Sequence, residues 1–292
     1  VLDGHGHKLW DHRFDQKIIS LEALDVDGDG EKEVLAHDAA SFLYIFAPNG
    51  SIEGKLRLRT SEDLYEDFFR FNRAYSMGLW RPRPEVPPVL IMGTYQSIAW
   101  LTPEGRIIWR PEGSRGLPTQ IGFAWKGLVY WERVLPEGMD LNGDGLEDQV
   151  FMGRGWGGAK GYVMFFDGAR LRPMAEHAIP NGRPLGLEVI PLSGDERAIL
   201  AVNEFHMGLY SADGGRRIWD ARFDTPAAAY AVVARDGRPF VYVAKSDGMI
   251  LAFDMRGKAV RRGLLEPQLT GIAPIRFGRD LHLVVSSDEG IT

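Results

Sequence analysis

Apolar and polar residues alternate along most of this chain in short runs, and the runs stop at turns rich in glycine and small acidic or amide residues. The stretch FVYVAKSDGMILAFD, residues 240–254, shows the pattern: β-branched and aromatic side chains recur at every second position on both sides of Ser246-Asp247-Gly248. A period of two puts alternate side chains on opposite faces of a pleated strand, so the pattern predicts two antiparallel strands and a tight turn. Helical spacing is nearly absent. Only SEDLYEDFFRFNRAY, residues 61–75, has room for a helical turn or two.

The strands recur as a unit. Six segments combine an alternating apolar run, a glycine turn and a second short run: LYIFAPNGSIEGKL, IAWLTPEGRIIW, VMFFDGARLRPM, GLYSADGGRRIW, ILAFDMRGKAV and, reading from the C-terminus into the N-terminus, ITVLDGHGHKLW. Their turn glycines are Gly6, Gly50, Gly105, Gly168, Gly215 and Gly257, spaced 44, 55, 63, 47 and 42 residues apart, with 41 from Gly257 round to Gly6. A period in the forties is that of a four-stranded propeller blade, and two more strand-like runs precede each turn, giving strands A to D. The C-terminal LHLVVSSDEGIT supplies strand B and the start of C of one blade, and VLDGHGHKLWDHRF supplies the rest of C and strand D. The expectation is an all-β, six-bladed β-propeller of four-stranded blades in a single domain, residues 1–292. One blade is closed by strands from both termini, which removes two exposed sheet edges. A seventh blade stays open if residues precede Val1.

Composition bounds the function classes. The 292 residues suffice for a large core. There is no cysteine, which excludes disulfides and thiolate metal sites. The net charge of -6 is mild and the basic residues are scattered, which argues against a nucleic-acid partner. No apolar run approaches the roughly 18 to 20 residues that span a bilayer. The opening VLDGHGHKLW shows neither initiator Met nor signal peptide, as expected of a piece processed out of a longer chain.

Acidic residues concentrate at two places. In DVDGDGEKE, Asp25, Asp27 and Asp29 occupy positions 1, 3 and 5, with Glu33 at position 9. DLNGDGLED repeats the layout with Asp140, Asn142, Asp144 and Asp148. Carboxylates at alternating positions of a tight loop converge, and a hard cation with flexible oxygen coordination neutralises them, with the position 7 carbonyls of Glu31 and Leu146 completing the sets. An EF-hand needs an acid at position 12 and flanking helices; here Ala36 and Phe151 stand there, and strands follow. The spacing resembles the calcium loops of integrin-type FG-GAP propeller repeats, and that resemblance implies two structural calcium ions in loops joining strands A and B. The endings EGRIIW, GGRRIW and HGHKLW are similar to the Gly-x-x-x-Trp ending of quinoprotein-dehydrogenase-like propeller repeats. The equivalent loops LSGDER, ARDGRP and RFGRDL lack the carboxylates, so those blades are expected to be metal-free. Calcium sites suit compartments where calcium is plentiful, which places the protein outside the cytoplasm: secreted, periplasmic or at a cell surface.

In such a fold the A–B loops lie on one face and the B–C and D–A loops on the other, where Tyr95, Gln96, Arg154, Trp156, Glu204, His206, Lys245 and Asp247 are candidates for ligand binding. Trp156 can stack on a sugar ring, anchor a protein or simply cover the barrel end. Glu204 and His206 can act as acid and base, but an exposed histidine without such a role is the simpler reading. His5 and His7 suffice only for weak metal binding, and Trp10, Trp109 and Trp219, together with Trp125, Tyr130 and Trp131, are expected to pack blades. No nucleophile elbow, His-Glu-x-x-His or phosphate loop is present. The leading expectation is a non-catalytic, calcium-stabilised propeller that recognises a protein or glycan on the face opposite the calcium loops, as an adhesion module or a subunit of an extracellular assembly. The rivals are a polysaccharide lyase or hydrolase with a pocket on that face, and an assembly factor that docks through the aromatic 59–75 insertion.

Overall fold

The computed structural model describes residues 1–3, 5–40, 42–57, 74–81, 89–94, 98–101, 129–155, 159–170, 172–192, 196–235, 237–265, 268–277, 280–287 and 290–291. The 61–75 segment, apart from the backbone of its last two residues, and the turn at Gly105 lie outside these, as do Trp109 and Trp125. Among the described residues every regular element is a strand.

Each sheet is an antiparallel succession of strands adjacent in sequence. Sheet I holds β1 (Ile18–Leu24), β2 (Glu33–Asp38), β3 (Phe42–Phe46) and β4 (Ile52–Arg57). Sheet II holds β5 (Ala74–Trp80), β6 (Val89–Thr94) and β7 (Ile98–Leu101); sheet III holds β8 (Val129–Val134), β9 (Gln149–Gly155), β10 (Gly161–Asp167) and β11 (Arg172–Ile179). Sheet IV follows with β12 (Pro184–Pro191), β13 (Arg197–Asn203), β14 (His206–Ser211) and β15 (Arg217–Arg222). Sheet V holds β16 (Ala227–Arg235), β17 (Arg238–Lys245), β18 (Met249–Phe253) and β19 (Ala259–Leu264), and sheet VI β20 (Leu269–Phe277), β21 (Asp280–Ser287) and β22 (Gly290–Ile291). The chain divides into two compact units: Val1 with Lys8–Ile179, carrying sheets I to III, and Leu2–His7 with Pro180–Thr292, carrying sheets IV to VI.

One irregularity marks the sheets as copies of a single pattern. In all six, the register between the first and second strands slips by one residue within the first strand: at its beginning in Ile18/Ser20, Ala74/Ser76, Pro184/Gly186, Ala227/Ala229 and Leu269/Gly271, and in the middle of β8 at Trp131/Arg133. A bulge adds local twist and bends the strand, so its recurrence gives every sheet a similar distortion of its first strand.

Within each unit, successive sheets bury apolar faces against each other. Leu24, Leu35, Leu43 and Ile45 of sheet I pack with Met77 and Leu90 of sheet II, while Trp80 and Ile91 of sheet II meet Trp131, Phe151, Met164 and Phe166 of sheet III. In the second unit, Leu200, Val202, Met207 and Leu209 of sheet IV join Val241, Val243 and Phe253 of sheet V. Trp131 is fully buried, as the packing expectation requires.

Tryptophans fasten the outer hairpins. The Trp219 indole on β15 donates to the Met255 carbonyl at 2.9 Å and covers Gly257, in the turn between β18 and β19; a Cβ there would lie 2.8 Å from the ring. Trp10 does the same to the hairpin of sheet I, donating to the Pro48 carbonyl at 2.9 Å and covering Gly50. Both glycines have positive φ, 76° and 89°. At ADGG the positive φ falls on Gly214 rather than on Gly215, and Gly168 turns without one.

The N-terminal residues form a small hairpin, with Asp3 N–H donating to the His7 carbonyl at 2.9 Å and Leu9 N–H to that of Val1 at 3.0 Å. His7 Nδ1 lies 3.0 Å from the Asp3 carboxylate, which places that imidazole in a local contact.

Replacing Gly257 by alanine adds a positive-φ penalty, about 1 kcal/mol, and an overpacking cost against Trp219 of roughly 1–3 kcal/mol. Gly237, with φ 72° and open space around its Cβ position, supplies the comparison for the backbone penalty alone. In urea denaturation Gly257→Ala should therefore lose clearly more stability than Gly237→Ala; equal losses would show that the indole contact does not matter.

Candidate functional site

Both acidic segments join the first and second strands of their sheets, β1 to β2 and β8 to β9, and they fold alike. In the first loop Asp25 accepts from the N–H groups of Gly28 at 2.7 Å and Gly30 at 3.1 Å, Asp27 from Asp29, and Asp29 from Glu31 at 2.8 Å. In the second, Asp140 accepts from Gly143 at 2.6 Å and Gly145 at 2.9 Å, Asn142 from Asp144, and Asp144 from Leu146 at 3.0 Å. The backbone turns left-handed at the same two places, Gly28 and Gly30 in one loop and Gly143 and Gly145 in the other. A side chain at these positions would be strained, and so the paired glycines are part of the loop's design.

The side chains at positions 1, 3 and 5 of the first loop point inward: one carboxylate oxygen from each of Asp25, Asp27 and Asp29 lies within 4.8 Å of the others. Three such charges repel one another, and an oxygen-loving divalent cation matches the donor set, with the Glu31 carbonyl beside it. In the second loop Asn142 supplies a neutral oxygen where Asp27 supplies a charged one.

The position 9 carboxylates also hold the loop backbone. Glu33, almost fully buried, accepts from the Val26 N–H at 2.8 Å. Asp148, fully buried, accepts from Leu141 at 3.0 Å and from Gly168 at 2.8 Å. Each closes its loop by bonding position 2. Burial pushes the Asp148 carboxyl up to about 6 despite those two donors. A pocket beside the first loop is floored by Val26, Ile45 and Leu56 and edged by Asp27, Glu33 and Glu53.

Tyr95, Gln96 and Trp156 lie outside the described residues. Lys245 and Asp247 do come together. The Lys245 ammonium, buried at the end of β17, donates to Asp224 at 2.6 Å and lies 3.2 Å from Asp247. Burial opposes its charge, but the two carboxylates outweigh burial and raise its pKa. The connection from β15 to β16 supplies Asp224 and is sewn to both neighbouring turns, through Ala227 N–H to the Glu204 carbonyl at 2.7 Å and Ser246 N–H to that of Pro226 at 2.9 Å.

Arg154 lies 2.8 Å from the buried carboxylate of Glu132, and Glu204 accepts from the Arg183 N–H at 2.9 Å. His206 overturns the expectation of an exposed histidine: it begins β14 and is fully buried, with Nε2 3.5 Å from Asp220. Burial holds its pKa down to about 4, so the imidazole is neutral at physiological pH. Glu204 is held by Arg183 while His206 lies against Asp220, and the acid–base pair read from NEFHMG is not assembled from them.

Sequence reasoning missed Asp224 and Glu22. Asp224 stands alone between strands, and only proximity in the fold pairs it with Lys245. Glu22, on β1, is half-buried, and burial pushes its carboxyl up to about 7 although Arg133 and the Met77 N–H pull it down. A carboxyl with a raised pKa in the folded state contributes stability that is full below the unfolded value, near 4.5, and is lost as pH rises through 7. Glu22→Gln should therefore raise the melting temperature at pH 8 and leave it unchanged at pH 4. A variant no more stable than the parent at pH 8 would show that Glu22 is not strained by burial.

The sequence matches no family model and no curated protein. Solved structures similar to this chain are propellers. BBS1N, from its complex with ARL6DN, is 16% identical with a TM-score of 0.60, over 96% of this chain and 79% of that one. BamB from Moraxella catarrhalis is 14% identical with a TM-score of 0.52, over 98% and 74%. The Dos1 propeller is 10% identical with a TM-score of 0.60, over 94% and 66%. At these identities the likeness speaks for the fold, and the antiparallel sheets of this chain are those of a β-propeller.

Proposed function

We propose that this chain is a calcium-stabilised, non-catalytic propeller that recognises a protein or glycan partner outside the cytoplasm. On this reading the six sheets are the six blades of one domain, and the N-terminal hairpin completes the blade begun by β20–β22. The grouping of Leu2–His7 with the C-terminal unit supports that assignment.

The observation that carries the metal reading is the matched folding of the two A–B loops. Two segments more than a hundred residues apart use the same glycines and the same backbone donors, and the first gathers three carboxylates within 4.8 Å. Asp25, Asp27, Asp29 and the Glu31 carbonyl hold one ion in this proposal, and Asp140, Asn142, Asp144 and the Leu146 carbonyl the other. Glu33 and Asp148 complete the sets through oxygen lone pairs that their backbone donors leave available. An ion bound only by the native loops stabilises the fold by mass action. Recognition is supported by the solved BBS1N propeller, which is in complex with ARL6DN. On this chain the partner would meet the loop ends of the second unit that carry Glu204, Lys245 and Asp247, where Arg183 and Asp224 hold these polar groups in place, and Arg154 is the candidate contact of the first unit.

The test is a thermal melt in calcium and in chelator. Asp27→Ala and Asp144→Ala should each lower the melting temperature in calcium and leave the calcium-free melt nearly unchanged. Equal melts of the parent in calcium and in chelator would refute the structural ions.

A further inference from the structure

Among the described residues, those of the outer strand of sheet V, β19, are exposed on both faces. Val260 is 43% exposed, Leu264 75%, and Leu265 just beyond the strand 42%. A Cβ placed on Gly263 would meet nothing within 4 Å. The outer strand of sheet IV behaves differently, because Trp219 on β15 is drawn against the next hairpin. The position four residues after the turn glycine, where Trp10 and Trp219 stand, is Arg261 in this repeat, so β19 receives Trp219 at its turn but contributes no indole of its own. One edge of β19 bonds to β18; no strand pairs with the other among the described residues.

An open strand edge offers a row of backbone donors and acceptors to any extended chain, and charge decides which chain it admits. Residues 255–265, MRGKAVRRGLL, contain Arg256, Lys258, Arg261 and Arg262 and no acidic residue. A second copy of β19 adding antiparallel would set these cations against one another, and like charges facing across a strand pair are destabilising. An acidic strand would meet complementary charge, and branched apolar residues between its acids would cover Leu264 and Val260.

We propose that β19 is a docking edge for an extended acidic segment of a protein partner, which adds to sheet V as a fifth strand. Main-chain hydrogen bonds supply affinity in such pairing and alternate side chains supply selectivity. The inference rests on the recognition reading but moves the contact from the loop rim to the outer edge.

The probe is a fluorescein-labelled ten-residue peptide of alternating glutamate and valine, titrated into the full chain at pH 7 with calcium present. Anisotropy should report binding that weakens as salt rises. Hydrogen exchange should show new protection at 259–264. The pair Lys258→Glu and Arg262→Glu, both at exposed positions, should lower affinity about tenfold. A peptide N-methylated at alternate residues should not bind. Protection that appears on the 203–206 and 245–248 turns instead would overturn the edge while keeping a recognition module. No binding of the peptide would likewise overturn the edge; the recognition reading would then stand or fall on partners that co-purify with the native protein.

Discussion

The contact between a tryptophan indole and the glycine turn of a neighbouring hairpin sets conditions that much of this structure has to meet. The ring lies where a Cβ would be, so the turn must be glycine, and the turn runs left-handed, which also requires glycine. The indole N–H then satisfies a carbonyl that the tight turn leaves without a ladder partner. Trp10 and Trp219 come four residues after Gly6 and Gly215, which no indole covers, whereas the covered Gly50 and Gly257 are followed at that distance by Gly54 and Arg261, so one segment gives the contact and another receives it. Along the chain the tryptophan stands in every second repeat: Gly54, Arg172 and Arg261 take its place in the others.

The acidic loops use glycine for a different purpose. Two left-handed glycines bend the chain so that side chains at alternating positions converge, and backbone N–H groups aimed at Asp25 and Asp140 hold the bend. The buried carboxylates of Glu33 and Asp148 then clip each loop to the strand that follows it. Hydrogen bonds within the chain thus hold each loop in shape, and restraint of this kind lowers the ordering that opposes binding.

Much of this was legible in the residues. Strand alternation, the glycine period and the recurrent tryptophans are local patterns, and each has a single structural consequence. So is the spacing of carboxylates in DVDGDGEKE. The backbone bonds of Glu33 and Asp148 were not legible, because spacing alone does not show which carboxylate oxygens also accept from a backbone N–H. His206 was misread for a related reason: polar composition suggested a surface turn, whereas its register at the start of β14 carries the ring inward. The pairing of Lys245 with Asp224 joins residues from different elements, and no local pattern encodes it.

Calcium stoichiometry measured by titration calorimetry on protein stripped of metal tests the central claim most directly. The account predicts two ions per chain, with the tighter site at the first loop, since four carboxylates stand there against three carboxylates and an amide in the second. No heat of binding and no bound calcium at millimolar concentration would contradict it.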